Sequence, residues 1–305
     1  MADQTTHAVV TGANYNVLSD VIKTIYAREI EFQAQPALRF EQFADKKTEL
    51  GVTPGRVITM ITYDNLGAGG ALTEGTAMET KYMASSTVNI TVVEYGNAIA
   101  VSEYLLQVSF DDIMSSATKL LGHDYQKILD GILRDAAYTT TNVKYAYSGG
   151  VAAANRAAIS ATHLFSTDVV KDSAETLATA NTPYVDGSGY VCIVHPHQAR
   201  AMRDDSAWIN ASNYGAPEQL FKGEIGKYEN VRFIETTQIS TVSSTVTVYK
   251  AIMLGLAGYG WAVGLPVEMR DNGVQDFGRV HSLAWYSIMG AGKLNNGRMC
   301  VLESA

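Results

Sequence analysis

The sequence predicts an α+β fold with mixed sheets. Three observations predict it. The stretch from Ile113 to Leu133 repeats apolar residues three and four apart, which is helical spacing. Several short runs rich in β-branched residues, bounded by Gly, Pro and Asn, read as strands. The 305 residues are 47% apolar and 18% charged, which suits a globular chain of one or two domains with a large core.

Taken in order, Val17 to Phe32 has the apolar spacing of a helix, with Ser19 or Asp20 at its start and Pro36 ending it. The polar stretch from Asp45 to Glu49 follows, and the first 55 residues read as an arm with few signs of a core. Arg56 to Tyr63 and Val88 to Tyr95 read as strands. Asp64 to Thr87 joins them with Gly67, Gly69, Gly70 and Gly75 and no periodicity. Connections this long are uncommon inside compact domains, so this one is expected to extend away from its own body. The strongest helix opens at Phe110-Asp-Asp112 and runs to about Ala137, with Ile113, Ala117, Leu120, Leu121, Tyr125, Ile128, Leu129, Ile132 and Leu133 on its apolar stripe. At 1.5 Å per residue it is a strut roughly 40 Å long.

Residues 138–164 are small and polar. Ser166 or Thr167 caps a second amphipathic helix that ends near Asn181. Asp186-Gly187 is a hairpin-type turn, and Tyr190 to Val194 is a buried strand. His195-Pro196 begins a short helix with proline at its first position. Further strands are expected at Val231–Glu235, Val246–Leu254, Val267–Arg270, Val280–Met289 and Met299–Leu302.

With a formal net charge of -8 and no run of Lys and Arg, the chain does not read as a nucleic-acid binder. Cys192 and Cys300 both lie in apolar runs and read as buried free thiols rather than a disulfide framework. Neither a signal peptide nor a membrane helix is expected.

Each candidate for chemistry has a plainer reading. His195 and His197 lack further ligands at metal-site spacing, so a strand-to-helix turn explains them. The Gly67–Gly75 segment lacks the Gly-Lys-Ser/Thr ending of a phosphate loop, and Gly258 to Gly264 has the wrong spacing for a dinucleotide fingerprint. The neighbours Asp111 and Asp112, and Asp204 and Asp205, do not converge on one helix face. No Gly-x-Ser-x-Gly elbow is present, and His281, in a strand with Trp285, reads as core or interface. No catalytic, cofactor-binding or metal-ligating residue is assigned, and the chain is not expected to be an enzyme.

A set of short strings in a fixed order resembles a known family. They are Tyr15-Asn-Val-Leu-Ser19, Arg28-Glu-Ile-Glu-Phe32, Phe40-Glu-Gln-Phe43, Gly69-Gly-Ala-Leu-Thr-Glu-Gly75 and Glu94-Tyr-Gly-Asn97, then His195-Pro-His-Gln-Ala-Arg200, Asn213-Tyr-Gly-Ala216, Arg270-Asp-Asn-Gly273 and Ala284-Trp-Tyr-Ser-Ile288. Together they span nearly the whole chain and resemble the major capsid proteins of tailed bacteriophages, of the N-four type within the HK-ninety-seven-like capsid fold.

The resemblance implies an N-terminal arm at 1–55, an extended hairpin loop at 56–95 and a peripheral domain with a spine helix at 96–150. An axial domain at 151–265 and C-terminal strands at 266–305 returning to the peripheral domain complete the layout. It implies a shell subunit that assembles with copies of itself as pentamers and hexamers around packaged DNA, without sequence specificity and without a membrane. Separate scaffolding, portal and decoration proteins are the implied partners, in a virion capsid assembled in the host bacterial cytoplasm. Some capsids of this fold carry a lysine–asparagine cross-link; Lys81 with Asn295 or Asn296 are the residues it would need, but no glutamate is placed by sequence to catalyse it. Two other functions remain open at this point: an encapsulin-type compartment shell, which fold alone does not separate, and a two-domain hydrolase, for which no converging polar groups are seen.

Overall fold

A 25-residue helix and two sheets organise the chain. The computed structural model describes residues 38–48, 55–63, 66–75, 77, 78, 80–109, 112–185, 187, 189–209, 226–243 and 245–305. The expected helix at 17–32 and the strings at 15–32 and 213–216 lie outside these residues.

Strand β1 spans Asp45–Lys47, β2 Val57–Tyr63, β3 Ser85–Thr91 and β4 Val93–Ser102. Helices α1 (Glu103–Val108) and α2 (Ile113–Ala137) follow. Three short strands come next: β5 (Val143–Tyr145), β6 (Tyr147–Ser148) and β7 (Val151–Ala152). Then come α3 (Thr167–Thr179), β8 (Tyr190–Val194), α4 (Pro196–Arg203), β9 (Lys227–Tyr228), β10 (Val231–Glu235), β11 (Thr241–Ser243) and β12 (Thr247–Leu254). The chain ends with β13 (Tyr259–Gln275), β14 (Val280–Lys293) and β15 (Met299–Ser304).

One sheet has the order β1-β13-β14-β4, the other β5-β15-β12-β8-β10-β9 with β11 beside β12. Helix α2 packs its buried stripe of Ile113, Ala117, Leu121, Leu129 and Leu133 inward. Leu121, Leu129 and Leu133 of that stripe join Trp261, Trp285 and Met289 of the first sheet and Val191, Ile193, Ile252 and Leu254 of the second in a single core. Leu120, expected on the stripe, is exposed. The other face of the second sheet is covered by Val169, Val170 and Leu177 of α3 and Ala199 and Met202 of α4. With both faces covered, all five residues of β8 are buried, which explains its continuous apolar run.

The expected strand at 88–95 is in fact two strands. Val92 breaks the ladder, and β3 pairs with β2 while β4 pairs with β14. The kink lies where the chain crosses Gly290, at which a Cβ would fall 2.1 Å from the Thr91 carbonyl oxygen. The polar stretch at 45–47, expected as part of an arm, forms an edge strand running parallel to Gly260–Ala262. A Cβ on Gly260 would lie 2.5 Å from the Asp45 carbonyl oxygen, so glycine there lets β1 approach. Residues 138–164, read as small and polar with no element assigned, contain β5, which extends the second sheet beside β15.

The C-terminal strands divide between the sheets. Strand β14 lies against α2, whereas β15 pairs with β12 in the second sheet. Strand pairing thus does not group all of residues 266–305 with the spine helix, and the expected boundary at 265 falls inside β13. The reason is local: Asn296 to Arg298 turn the chain after β14, and Met299 to Leu302 are apolar enough for an inner strand position.

The β13–β14 hairpin ends in Asp276, Phe277 and Gly278, with φ of 48°, 55° and 97°. Holding a bulky residue such as Phe277 in the left-handed region costs of order 1–3 kcal/mol. Among the described residues no helix is long and apolar enough to cross a membrane.

Candidate assembly surfaces

The residues singled out for chemistry have structural duties. His195 is the N-cap of α4: its Nδ1 accepts the His197 N–H at 3.1 Å. Gln198 reciprocates by accepting the His195 N–H at 3.2 Å, completing a capping box. The Gln198 amide also donates to Ser304 Oγ at 2.9 Å. Both imidazoles lie on the Tyr249 ring, with centroids 4.6 and 4.8 Å away. Burial, and then the neighbouring His197, hold the His195 pKa below its ordinary value.

Cys192 and Cys300 are buried and free. Each is registered opposite Met253, from β8 and from β15, so two strand spacings separate them. That is about 10 Å, beyond the reach of a disulfide. Burial pushes the Cys192 thiol far up and that of Cys300 to about 11, so neither is poised as a nucleophile. Among the described residues no group of three or more His, Cys, Asp or Glu side chains could hold a metal ion.

The adjacent carboxylates separate in role. Asp112 caps α2 by accepting the Ser115 N–H at 3.2 Å, while Asp111 lies outside the described residues. Asp204 is the C-cap of α4. Asp205 accepts both the Thr167 N–H and the Thr167 hydroxyl at 2.8 Å, so it caps the start of α3 across space. Ser166, expected to cap that helix, makes no capping hydrogen bond. Burial works to raise the Asp205 pKa, but the Thr167 and Ala207 amides, the Thr167 hydroxyl and Lys171 outweigh it and hold the pKa down. His281 Nε2 lies 2.8 Å from Glu103 Oε2 and ties the start of β14 to α1.

One buried carboxylate was not legible in the sequence. Asp130 lies on α2, wholly buried, and accepts the Phe40 N–H at 2.8 Å. The Tyr259 hydroxyl donates to the Phe40 carbonyl at 2.6 Å. Phe40 itself is 0% exposed, so its ring and both its backbone groups are clamped where the chain enters the described body.

The conspicuous surfaces are apolar and project outward. Hairpin β2–β3 carries a long connector whose described residues, 66–75, 77, 78 and 80–84, are all exposed. Leu66, Leu72, Met78, Tyr82 and Met83 on it are exposed, with no cover from the described residues. Lys81 Nζ donates to the Ala68 carbonyl at 3.0 Å, bracing one side of the connector against the other. Asn296 Oδ1 accepts from Thr141 N at 2.9 Å and from Lys293 Nζ at 3.2 Å, and Asn295 accepts the Gly297 N–H at 2.9 Å. Both asparagines are therefore engaged within their own chain. Exposed apolar patches of this kind mark surfaces that other molecules cover.

Comparison with known proteins agrees with this picture. A family model described as phage capsid protein matches residues 85–298, more than two thirds of the chain. No curated protein matches by sequence. Among solved structures, the capsid structure of cyanophage P-SCSP1u is similar over 100% of this chain and 99% of its own, with a TM-score of 0.73 and 15% identity. The capsid of Ralstonia phage GP4 covers 98% of each chain, with a TM-score of 0.71 and 15% identity. A structure titled Mycobacterium phage Che8 covers 95% of this chain and 98% of its own, with a TM-score of 0.69 and 13% identity. The chain belongs to the phage capsid protein family: it is a major capsid protein of the tailed-bacteriophage type, with the HK-ninety-seven-like fold.

Proposed function

We propose that the chain acts purely as a shell subunit, associating as pentamers and hexamers through contacts that no single copy can satisfy. The observation that carries this reading is the β2–β3 connector, whose large apolar side chains are exposed in the isolated chain. The layout follows from it. Residues 1–55 act as an arm on neighbouring copies, residues 56–95 as the extended loop, and α2 as the spine of a peripheral domain. The seven-stranded sheet with α3 and α4 forms most of an axial domain, which includes β15. The order of motifs supports placement in the N-four-type branch.

The function needs no catalytic residue, cofactor or metal, because many repeated contacts between identical chains do the work. Packaged DNA is enclosed rather than bound, without sequence specificity; the formal net charge of -8 keeps the phosphate backbone from adhering to the chain. Scaffolding, portal and decoration proteins are separate partners, and assembly takes place in the host bacterial cytoplasm.

The test replaces residues 64–84 with a short turn. Electron microscopy of the unaltered purified protein is expected to show closed shells of uniform size. The shortened variant should keep a cooperative unfolding transition and form no normal shell. Wild-type yield and geometry from that variant would sink the reading.

A further inference from the structure

We propose that Asn272 is a self-modification site: the backbone nitrogen of Gly273 attacks its side-chain amide, the Asp271 carboxylate takes the proton, and the residue converts to aspartate and isoaspartate. This goes beyond the shell-subunit reading and does not depend on it, since the chemistry needs only the folded chain.

The sequence holds Asn-Gly twice, at Asn272-Gly273 and at Asn296-Gly297. Glycine suits the attack because no Cβ crowds its nitrogen. The structure sets the two sites apart. Asn272 and Gly273 form a bulge in β13: Asp271 pairs with Leu283 and Val274 with His281, so two residues stand opposite Ser282 alone. A bulge leaves its extra residue outside the ladder. Asn272 is exposed, and none of the described residues holds its amide. Gly273 is left-handed at φ 69°, and a Cβ built on it would meet nothing within 4 Å. The nitrogen and the amide therefore have room to close on each other.

Asn296 carries the same dipeptide in a different setting. It is half-buried. Its Oδ1 accepts from Thr140 Oγ1 and from Lys293 Nζ, both at 3.2 Å, and from Thr141 N at 2.9 Å, while its Nδ2 donates to Thr141 Oγ1 at 2.7 Å. These bonds must break before the amide can turn toward Gly297. The two glycine N–H groups also differ in their acceptors. That of Gly273 donates to Asp271 Oδ1 at 2.8 Å, and that of Gly297 to Asn295 Oδ1 at 2.9 Å. A carboxylate can take a proton from the attacking nitrogen, and a neutral amide cannot. The Asp271 distance lies within the reach a general base needs.

The reaction balances with water alone. Asp271 takes the Gly273 N–H proton as that nitrogen bonds to Asn272 Cγ. The Cγ–Nδ2 bond then breaks, Asp271 returns the proton, ammonia departs and a succinimide ring remains. Water opens the ring at either carbonyl. Breaking the new N–Cγ bond gives aspartate. Breaking the bond to the backbone carbonyl gives isoaspartate, with the main chain rerouted through the side chain. Either product adds one negative charge to an exposed stretch that already carries Asp271. The longer isoaspartate backbone falls at a bulge with open space beside it, so the fold survives the change.

The test follows the purified full-length protein in neutral buffer over time. Trypsin releases the two sites in separate peptides, residues 271–279 and 294–298, which mass spectrometry resolves. An isoaspartate-specific methyltransferase marks the isoaspartate product. The 271–279 peptide should convert at least tenfold faster than the 294–298 peptide. Equal rates, or faster conversion of 294–298, overturn the proposal. In guanidinium, which removes the fold, the two rates should come within a few-fold of each other. A gap that persists there is set by sequence rather than by the bulge, and also overturns the proposal. Asp271→Asn gives the site the same Asn-Asn-Gly sequence as residues 295–297. It should slow conversion of Asn272 at least tenfold, since a general base typically contributes about 10²–10⁴-fold. An unchanged rate overturns the role of Asp271, and the proposal with it.

Discussion

Asp130→Ala probes how the body of the subunit grips the segment that leads into it. The wild-type carboxylate accepts the Phe40 N–H at 2.8 Å and lies wholly buried. Removing it leaves that N–H buried without an acceptor, a loss of about 1–3 kcal/mol. Taking about 2 kcal/mol, local release of the Phe40 segment becomes roughly 30-fold more frequent. Trypsin can read this directly, since Arg39 precedes Phe40. When opening and closing are fast relative to cleavage, the rate follows the open population. Cleavage after Arg39 should therefore be about 30-fold faster than in wild type. Asp130→Asn keeps an oxygen for the same bond and should be cut no more than a few-fold faster.

The same residue has a pH signature. Burial raises the Asp130 pKa; the Phe40, Glu41 and Arg39 amides and the charge of Arg134 pull it back, but the net shift is upward. One carboxylate oxygen, Oδ2, has no hydrogen-bond partner among the described residues, which agrees with that direction. A carboxyl with a raised folded pKa binds its proton more tightly when folded. Its contribution is complete below the unfolded pKa of about 3.9 and is lost as pH rises through the folded value. The urea midpoint of Asp130→Asn should therefore gain on wild type as pH rises from about 4. A cleavage rate for Asp130→Ala equal to wild type, or a midpoint difference that does not move with pH, would refute the reasoning.

Two further outcomes follow from packing and capping. Leu121→Ala, at a site 1% exposed, should cost about 2–5 kcal/mol in urea unfolding, and the partly buried Ile128 should cost less when changed in the same way; Asp at either position should give insoluble or unassembled protein. His195→Ala should cost about 1 kcal/mol through loss of the α4 cap, with Asn at that position restoring most of it. Because the folded His195 pKa is lowered, its stabilisation is present above the unfolded value near 6.5 and is lost as pH falls through the folded value; thermal unfolding between pH 5 and 8 should show this in wild type, and less of it with Asn.

What could be read in the sequence was local. Helix α2 ends at Ala137, where the spacing placed its end, because an amphipathic stripe fixes both type and length. The α4 start was legible because His195, Pro196 and Gln198 carry the whole capping box within four residues. What could not be read depends on distant partners. The α3 cap comes from Asp205, 38 residues along the chain from Thr167. Strand β1 is a polar tripeptide, made a strand only by the β13 edge beside it. Asp130 sits between Leu129 and Leu133 on an otherwise apolar stripe, and only the approach of Phe40 gives it a purpose. The break at Val92 is set by two sheets competing for one strand.

Composition also cannot tell which apolar residues a chain keeps for itself. Trp285 and Phe40 are buried in the subunit, whereas Tyr82, Met83 and Phe277 are not, and nothing in their residue types separates them. Position does. Five large apolar side chains, Leu66, Leu72, Met78, Tyr82 and Met83, stand on the described part of the connector. Full burial yields about 1.5–3 kcal/mol for each such side chain, or roughly 8–15 kcal/mol gross if one neighbour covered all of them. The freedom lost when two proteins associate costs about 4–15 kcal/mol. The two ranges overlap, so one docked connector roughly balances the cost of association rather than holding a pair firmly. In a closed ring each subunit is held on two sides, so losing it breaks two contacts while its freedom was lost only once. That arithmetic favours complete assemblies over fragments, and it explains why the body folds on its own core while the connector reserves its apolar surface for other copies.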